Sequence, residues 1–401
     1  MSLAVASTFS TSSTTQLLQN IHSFAQQIPH LYVPFLPTSC RSGPLAAQFR
    51  QFVFCKKTPT LAKPKQIAVI AYYAGNGKDL DKYKWEQVTH VIYSFCHLRG
   101  QRLAVDNAND SICIRNLVAL KKKYKLKVML SLGGWGGCQP CSDVFAKAEG
   151  RREFAQSVKD LMREYGADGI DLDWEYPGIA GYPEHPFMPE DKGNFTLLVQ
   201  ELRQTLGKKA VLSFAAGGFA SFFDQSIEWA KVMPLVNYVN LMSYDLVSGY
   251  STVTGHHTPL YSNPKQEASA DHGIKYLLKL GVPAEKIIIG AAFYARSWEG
   301  VENVNRGLYQ SGKFKSFVPY HRQSSIFTAE EGFVFYRDSI SQAPYAYSPK
   351  RKEFATFDDY GSVKLKTKYA IQQKLGGIMF WQLTDDKAGT GLLQAIWEAT
   401  K

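Results

Sequence analysis

One ten-residue stretch constrains this chain more than any other: Asp168-Gly169-Ile170-Asp171-Leu172-Asp173-Trp174-Glu175-Tyr176-Pro177. It alternates with period two. Ile170, Leu172 and Trp174 fall on one side of a strand, and Asp171, Asp173 and Glu175 fall on the other. The run lies between two long helical patterns, where a parallel strand covered on both faces is expected. Three carboxylates on a covered face repel one another and lose hydration. Such a face persists when protons and hydrogen bonds are shared, and carboxyls with shifted pKa values mark functional sites. Among 401 residues with 35 Asp and Glu, four acids at this spacing arise by chance in roughly one to a few per cent of chains.

The rest of the chain supplies a frame for that strand. Strands are expected at Ile67–Ala74, His90–Cys96 and Lys127–Leu132, then at the carboxylate run, Val211–Ala216, Tyr238–Asp245, Ile287–Trp298 and Gly376–Leu383. Helical spacing falls between them, over Ile112–Tyr124, Arg152–Tyr165, Asn194–Leu206, Phe222–Val232, Ala268–Leu280, Ser362–Lys374 and Leu392–Thr400. In Arg152–Tyr165 the apolar residues Phe154, Val158, Leu161, Met162 and Tyr165 recur at i, i+4, i+7, i+8 and i+11. Eight strands alternating with helices predict an α/β fold, a closed (β/α)8 TIM barrel over residues 65–298 and 356–401. An open doubly wound sheet would need a Gly-rich phosphate loop opening the first helix, and none is present. Residues 299–355, rich in Tyr, Phe, Ser and Lys, break the rhythm. They predict a small α+β insertion domain between strand 7 and strand 8.

Residues 1–64 form a compositionally distinct leader, Ser/Thr/Gln-rich at first and free of acids. The expectation is a disordered or targeting segment outside the fold. The formal net charge is +11, of which the six basic residues before position 66 account for six and the remainder for five. There is no basic stripe of the kind that binds nucleic acid, and no apolar run long enough to span a membrane. Cys138-Gln139-Pro140-Cys141 predicts a local disulfide or two free thiols rather than a metal half-site, and Cys96 could pair with Cys113. His256 and His257 show no acidic partner pattern and are expected to be loop residues. No metal-ligand set is present, so no metal or cofactor is expected.

These residues together resemble the family-18 glycoside hydrolases, the chitinase family, from about residue 66 to 401. Asp168, Asp171, Asp173 and Glu175 match its acidic signature. Ser131-Leu132-Gly133-Gly134-Trp135, Asn240-Leu241-Met242-Ser243-Tyr244-Asp245 and Gly377-Ile378-Met379-Phe380-Trp381 are similar to its third, sixth and last strands. Tyr294-Ala295-Arg296 is similar to its seventh, with Ala295 in place of Gly, and residues 343–359 look like its insertion domain.

The resemblance implies a chitinase that hydrolyses β-1,4-linked N-acetylglucosamine polymers with retention, the substrate's own acetamido oxygen acting as nucleophile. Glu175, nearest the carboxyl end of its strand, would be the general acid. Asp173 would orient the acetamido nitrogen, Asp171 would share a proton with Asp173, and Tyr244 would hold the acetamido oxygen. Trp381 would form the floor, Asp245 and Arg296 would contact the sugar, and Tyr72, Phe95, Trp135, Met242, Tyr294 and Met379 would line the cleft. Asp168, of opposite parity, is read as structural. The expected partner is chitin or its oligosaccharides, met outside the cell by a monomer. The alternatives are an endo-β-N-acetylglucosaminidase acting on N-glycans or peptidoglycan, and a lectin that binds without cutting.

Overall fold

A computed structural model describes residues 67–401. The expectations for residues 1–64 therefore fall outside the described residues. Fourteen strands are described: β1 Ala68–Tyr73, β2 His90–Arg99, β3 Arg102–Ala104, β4 Lys127–Gly133, β5 Gly169–Asp173, β6 Val211–Gly217, β7 Tyr238–Met242, β8 Ile287–Ala292, β9 Tyr294–Glu299, β10 Lys313–Pro319, β11 Val334–Asp338, β12 Ala343–Ser348, β13 Glu353–Phe357 and β14 Gly377–Trp381. Parallel pairing runs β1-β14-β8-β7-β6-β5-β4-β2, and β2 pairs back to β1. That closure makes an eight-stranded barrel, as the alternation of strand and helix predicts.

The core lies mainly between the strands and the surrounding helices. Trp174 packs there on Phe145 and Phe195, with ring centroids 5.4 and 6.4 Å apart. The even-numbered side of the carboxylate strand thus faces outward into apolar packing, and the odd-numbered side, with Asp171 and Asp173, faces the barrel axis. A smaller cluster that includes Ile70, Tyr72, Met129, Ile288 and Met379 fills the barrel itself. Helix ends follow their caps. Asn107 accepts from the amides of Asn109 and Asp110 to start the helix Ala108–Tyr124, and Asp359 with Ser362 forms a capping box for Tyr360–Gln372. Among the described residues no helix is long and apolar enough to cross a membrane.

Two expected elements are corrected. The run Ile287–Trp298 is two strands, not one. It breaks at Phe293, whose amide donates to the Trp381 carbonyl while its carbonyl accepts from Tyr320. Beyond Phe293 the chain leaves the barrel, and β9 joins an antiparallel sheet of order β10-β9-β13-β12-β11. That second sheet spans Tyr294–Phe357, so both of its ends reach past the 299–355 read from composition. The helix expected over Phe222–Val232 is likewise split, into Ala220–Gln225 and Trp229–Val232. Cys138 and Cys141 form a disulfide, whereas Cys96 and Cys113 are free and buried rather than paired.

Candidate active site

Strand register decides which side chains meet above the barrel floor. Ser131 on β4 lies opposite Asp171 on β5, and Asp171 lies opposite Ser213 on β6. All three side chains are buried. The Asp171 carboxylate is fully enclosed and accepts four hydrogen bonds: from Tyr72 Oη (2.9 Å), Ser131 Oγ (3.4 Å), Ser213 Oγ (2.5 Å) and Asn240 Nδ2 (3.0 Å). Asn240 Nδ2 also donates to Tyr72 Oη at 3.0 Å. Burial favours the neutral acid and the four donors favour the anion. Burial wins, and the Asp171 carboxyl sits at about 6.

Asp173 lies two residues higher and is also buried, with an Oδ1 that meets no hydrogen-bond partner among the described residues. Burial first, and then the charges of Glu175 and Asp171, push its pKa well above the carboxylate range. Glu175 lies just past the end of β5 and is the least covered of the three acids. Burial raises it to about 8, and the charge of Asp245 adds to that, against a hydrogen bond from Tyr176. The row is thus ordered from a donor-saturated carboxylate at the bottom to a protonated acid at the mouth.

Glycine at two positions makes that row possible. Gly133 (φ 100°) would place a Cβ 2.4 Å from the Asp173 carbonyl, and Gly134 (φ 80°) would place one 2.3 Å from the Phe95 ring. The β4 loop therefore lies directly on the carboxylate strand, and Gly134 N donates to Asp173 O at 2.9 Å.

The remaining expected residues surround this row. Tyr244 is buried, and its hydroxyl reaches Met379 Sδ at 3.8 Å. Trp381 stacks on Phe95 (5.5 Å, 14°) and leans on Tyr72 (5.9 Å). Met242, partly buried at the end of β7, packs against the same interior cluster. Tyr294 lies edge-on to Tyr244 at 6.2 Å and carries the exposed Phe317 on its other side at 4.5 Å. Asp245 stands at a positive φ of 57°. It forms a two-pronged ion pair with Arg296, through Nε and through Nη2 at 2.5 Å, which holds its carboxyl well below the usual range. Trp135 stands apart, 46% exposed, with Tyr176, Tyr182 and Tyr250 at 6.3, 5.6 and 6.2 Å.

Asp168 is at the opposite end of β5, where it accepts from the Val128 amide and pairs with Lys121 and Lys127. The two histidines lie in a loop, as expected, but each has an acid nearby. His256 contacts Asp338 at 3.0 Å, and His257 lies 3.5 Å from Asp245. Ser213, Tyr182 and Tyr250 were not anticipated. Ser213 carries no signal of its own in a strand of small apolar residues, but its register opposite Asp171 would have exposed it.

An acid held protonated above buried carboxylates, beside an aromatic floor, can protonate a leaving oxygen and receive a sugar ring. Comparison with known proteins points to a glycoside hydrolase. The family described as "Glycosyl hydrolases family 18" matches residues 68–386. The chain is 34% identical over 318 residues to Chitinase A1 of Niallia circulans, a stretch covering 73% of this chain and 45% of that protein. It is 33% identical over 322 residues to Chitotriosidase-1 of Mus musculus, covering 75% of this chain and 68% of the other. This chain thus spans under half the length of the first relative and about two thirds of the second. A solved family-18 N-acetylglucosaminidase from Paenibacillus barengoltzii superposes with a TM-score of 0.75 at 34% identity, over 83% of this chain and 99% of that one.

Proposed function

Because the chain belongs to glycosyl hydrolases family 18, we propose that it hydrolyses β-1,4-linked N-acetylglucosamine polymers, chitin and its oligosaccharides. The observation that carries this reading is the graded carboxylate row: Asp171 saturated with donors, Asp173 with an open acceptor, and Glu175 protonated at the mouth.

In this reading Glu175 protonates the glycosidic oxygen. The acetamido oxygen of the sugar on the Trp381 floor attacks the anomeric carbon, and an oxazolinium ion forms as the bond to the leaving sugar breaks. Asp173 accepts from the acetamido N–H through its free Oδ1 and, ionised as its proton passes to Asp171, offsets the positive charge that develops on the ring. Asp171 exchanges a proton with Asp173, and the Tyr244 hydroxyl steadies the attacking oxygen. Water, deprotonated by Glu175, then opens the ring and restores the starting protonation. No other carboxylate is required as nucleophile, in keeping with the substrate-assisted exceptions to the two-carboxylate scheme. The disulfide Cys138–Cys141 is of a kind that oxidising compartments maintain, which favours action outside the cell.

The test is product analysis by mass spectrometry after incubation with chitin hexamer and, separately, with a high-mannose glycopeptide. Shorter N-acetylglucosamine oligomers from the hexamer support the proposal. Cleavage of the glycopeptide alone would move the enzyme to N-glycan cores, and binding without cleavage would make it a lectin.

Two further outcomes follow from the site. Only the protonated form of Glu175 can donate, so kcat/KM is expected to be sustained below about 8 and to fall above it; a pH–rate profile on the hexamer checks this. Trp381→Ala removes the floor and is expected to raise KM by roughly two- to twelvefold, the equivalent of about 0.5–1.5 kcal/mol for one aromatic contact. Steady-state kinetics on the hexamer would show it.

A further inference from the structure

His257 is a fully buried imidazole beside the site, and the reaction as described does not use it. Its backbone is fixed on both sides: its amide donates to Thr356 Oγ1 (3.2 Å) and its carbonyl accepts from Leu246 N (3.0 Å). The ring packs on Tyr294 at 5.2 Å. Nδ1 lies 3.5 Å from Asp245 Oδ1, and neither ring nitrogen has any closer partner among the described residues. The titratable groups facing it are Asp245 from the β7 loop, Tyr294 and Arg296 from β9, and Asp358, which is itself paired with Lys366 at 2.7 Å.

A buried polar nitrogen without a partner is costly, and Asp245 is the acceptor within reach. Asp245 in turn adds to the field that keeps Glu175 protonated. Arg296, a long side chain, grips both Asp245 oxygens, whereas His257 is a short one on anchored backbone. We propose that His257 is a positioning residue: uncharged and carrying its proton on Nδ1, it orients Asp245 so that the Asp245 charge acts on Glu175. Burial, reinforced by Arg296, lowers the imidazole's affinity for a second proton more than Asp245 raises it. His257 therefore works as a neutral donor, not as a competing cation.

The inference rests on Glu175 being the acid, and the experiment separates the two. The pH dependence of kcat/KM on chitin hexamer is measured for wild type, His257→Leu and His257→Asn. Leu fills the space without a donor, and the alkaline limb is expected to move about one unit toward acid as Asp245 turns away. Asn keeps an N–H and is expected to leave the limb near its wild-type position. A residue that merely packed the core would lower thermal stability and total activity without moving that limb. An unmoved limb in the Leu variant, or equal shifts in both variants, overturns the proposal.

Should the Leu variant fail to fold, nitrogen-15 NMR of wild-type histidines decides: a proton retained on Nδ1 of His257 between pH 6 and 8 is expected, and one on Nε2 overturns it. Wild type that leaves the hexamer intact would refute the hydrolase reading instead, while the NMR result would still decide the tautomer.

Discussion

Glu175→Gln is expected to lower kcat on chitin hexamer by about 10²–10⁴-fold, the usual worth of a positioned acid, while leaving oligosaccharide affinity within a few-fold. The amide keeps the shape of the side chain but has no proton to give. The same substitution is expected to stabilise the fold. Burial raises Glu175 to about 8 and Asp171 to about 6, both above the ordinary carboxylate range. Groups raised on folding contribute stability that is complete below their unfolded pKa, roughly 4, and is lost as pH rises through the folded value. Removing Glu175 removes one such loss, so the melting temperature of the variant should exceed that of wild type by a margin that grows from about pH 5 to pH 8. Residual hydrolysis near the wild-type rate would remove Glu175 from the acid role.

The second large effect lies where the barrel meets the antiparallel sheet. Lys366 and Asp358 are both fully buried, with Nζ 2.7 Å from Oδ2. Asp358 follows β13 directly and also accepts from the Ala292 amide at the end of β8, from Thr258 Oγ1 and from Ser362 Oγ. One carboxylate thus ties the second sheet, a barrel strand and the β7 loop to the helix Tyr360–Gln372. Lys366→Met leaves that carboxylate buried without its cation and is expected to cost about 3–5 kcal/mol. Adding Asp358→Asn should recover more than half of the loss, because the neutral amide still accepts through its carbonyl. Urea unfolding of the three proteins checks this. A loss under about 1 kcal/mol for Lys366→Met would show that the pair contributes little beyond packing.

Much of this arrangement is visible in the sequence because strands and helices impose different periods. The period of two at residues 170–175 places three acids on one side without reference to any contact, and the i, i+4, i+7 pattern of Arg152–Tyr165 places the helix before it. The break at Phe293 is not visible in that way. Ile287–Trp298 carries no Gly-Pro or polar turn signal at the break, where Phe293 stacks face to face on Phe380 at 4.1 Å and its backbone turns to new partners. His257 escaped for a related reason. Its acidic neighbour, Asp245, is twelve residues earlier in the chain, and only the return of the β7 loop brings the two within 3.5 Å. Ser213 is a third case. A single hydroxyl in an apolar strand meets Asp171 only when β5 and β6 are set in register.

The decisive feature of the proposed reaction is which atom attacks the anomeric carbon. Proton NMR of a reaction started with chitin hexamer would follow the newly formed reducing end before it equilibrates. Attack by the substrate's own acetamido group, steadied by Asp173 and Tyr244, predicts that the β-anomer appears first and decays toward the mixture. Appearance of the α-anomer first would mean direct attack by water from the opposite face, and the roles assigned here to Asp173 and Tyr244 would be wrong.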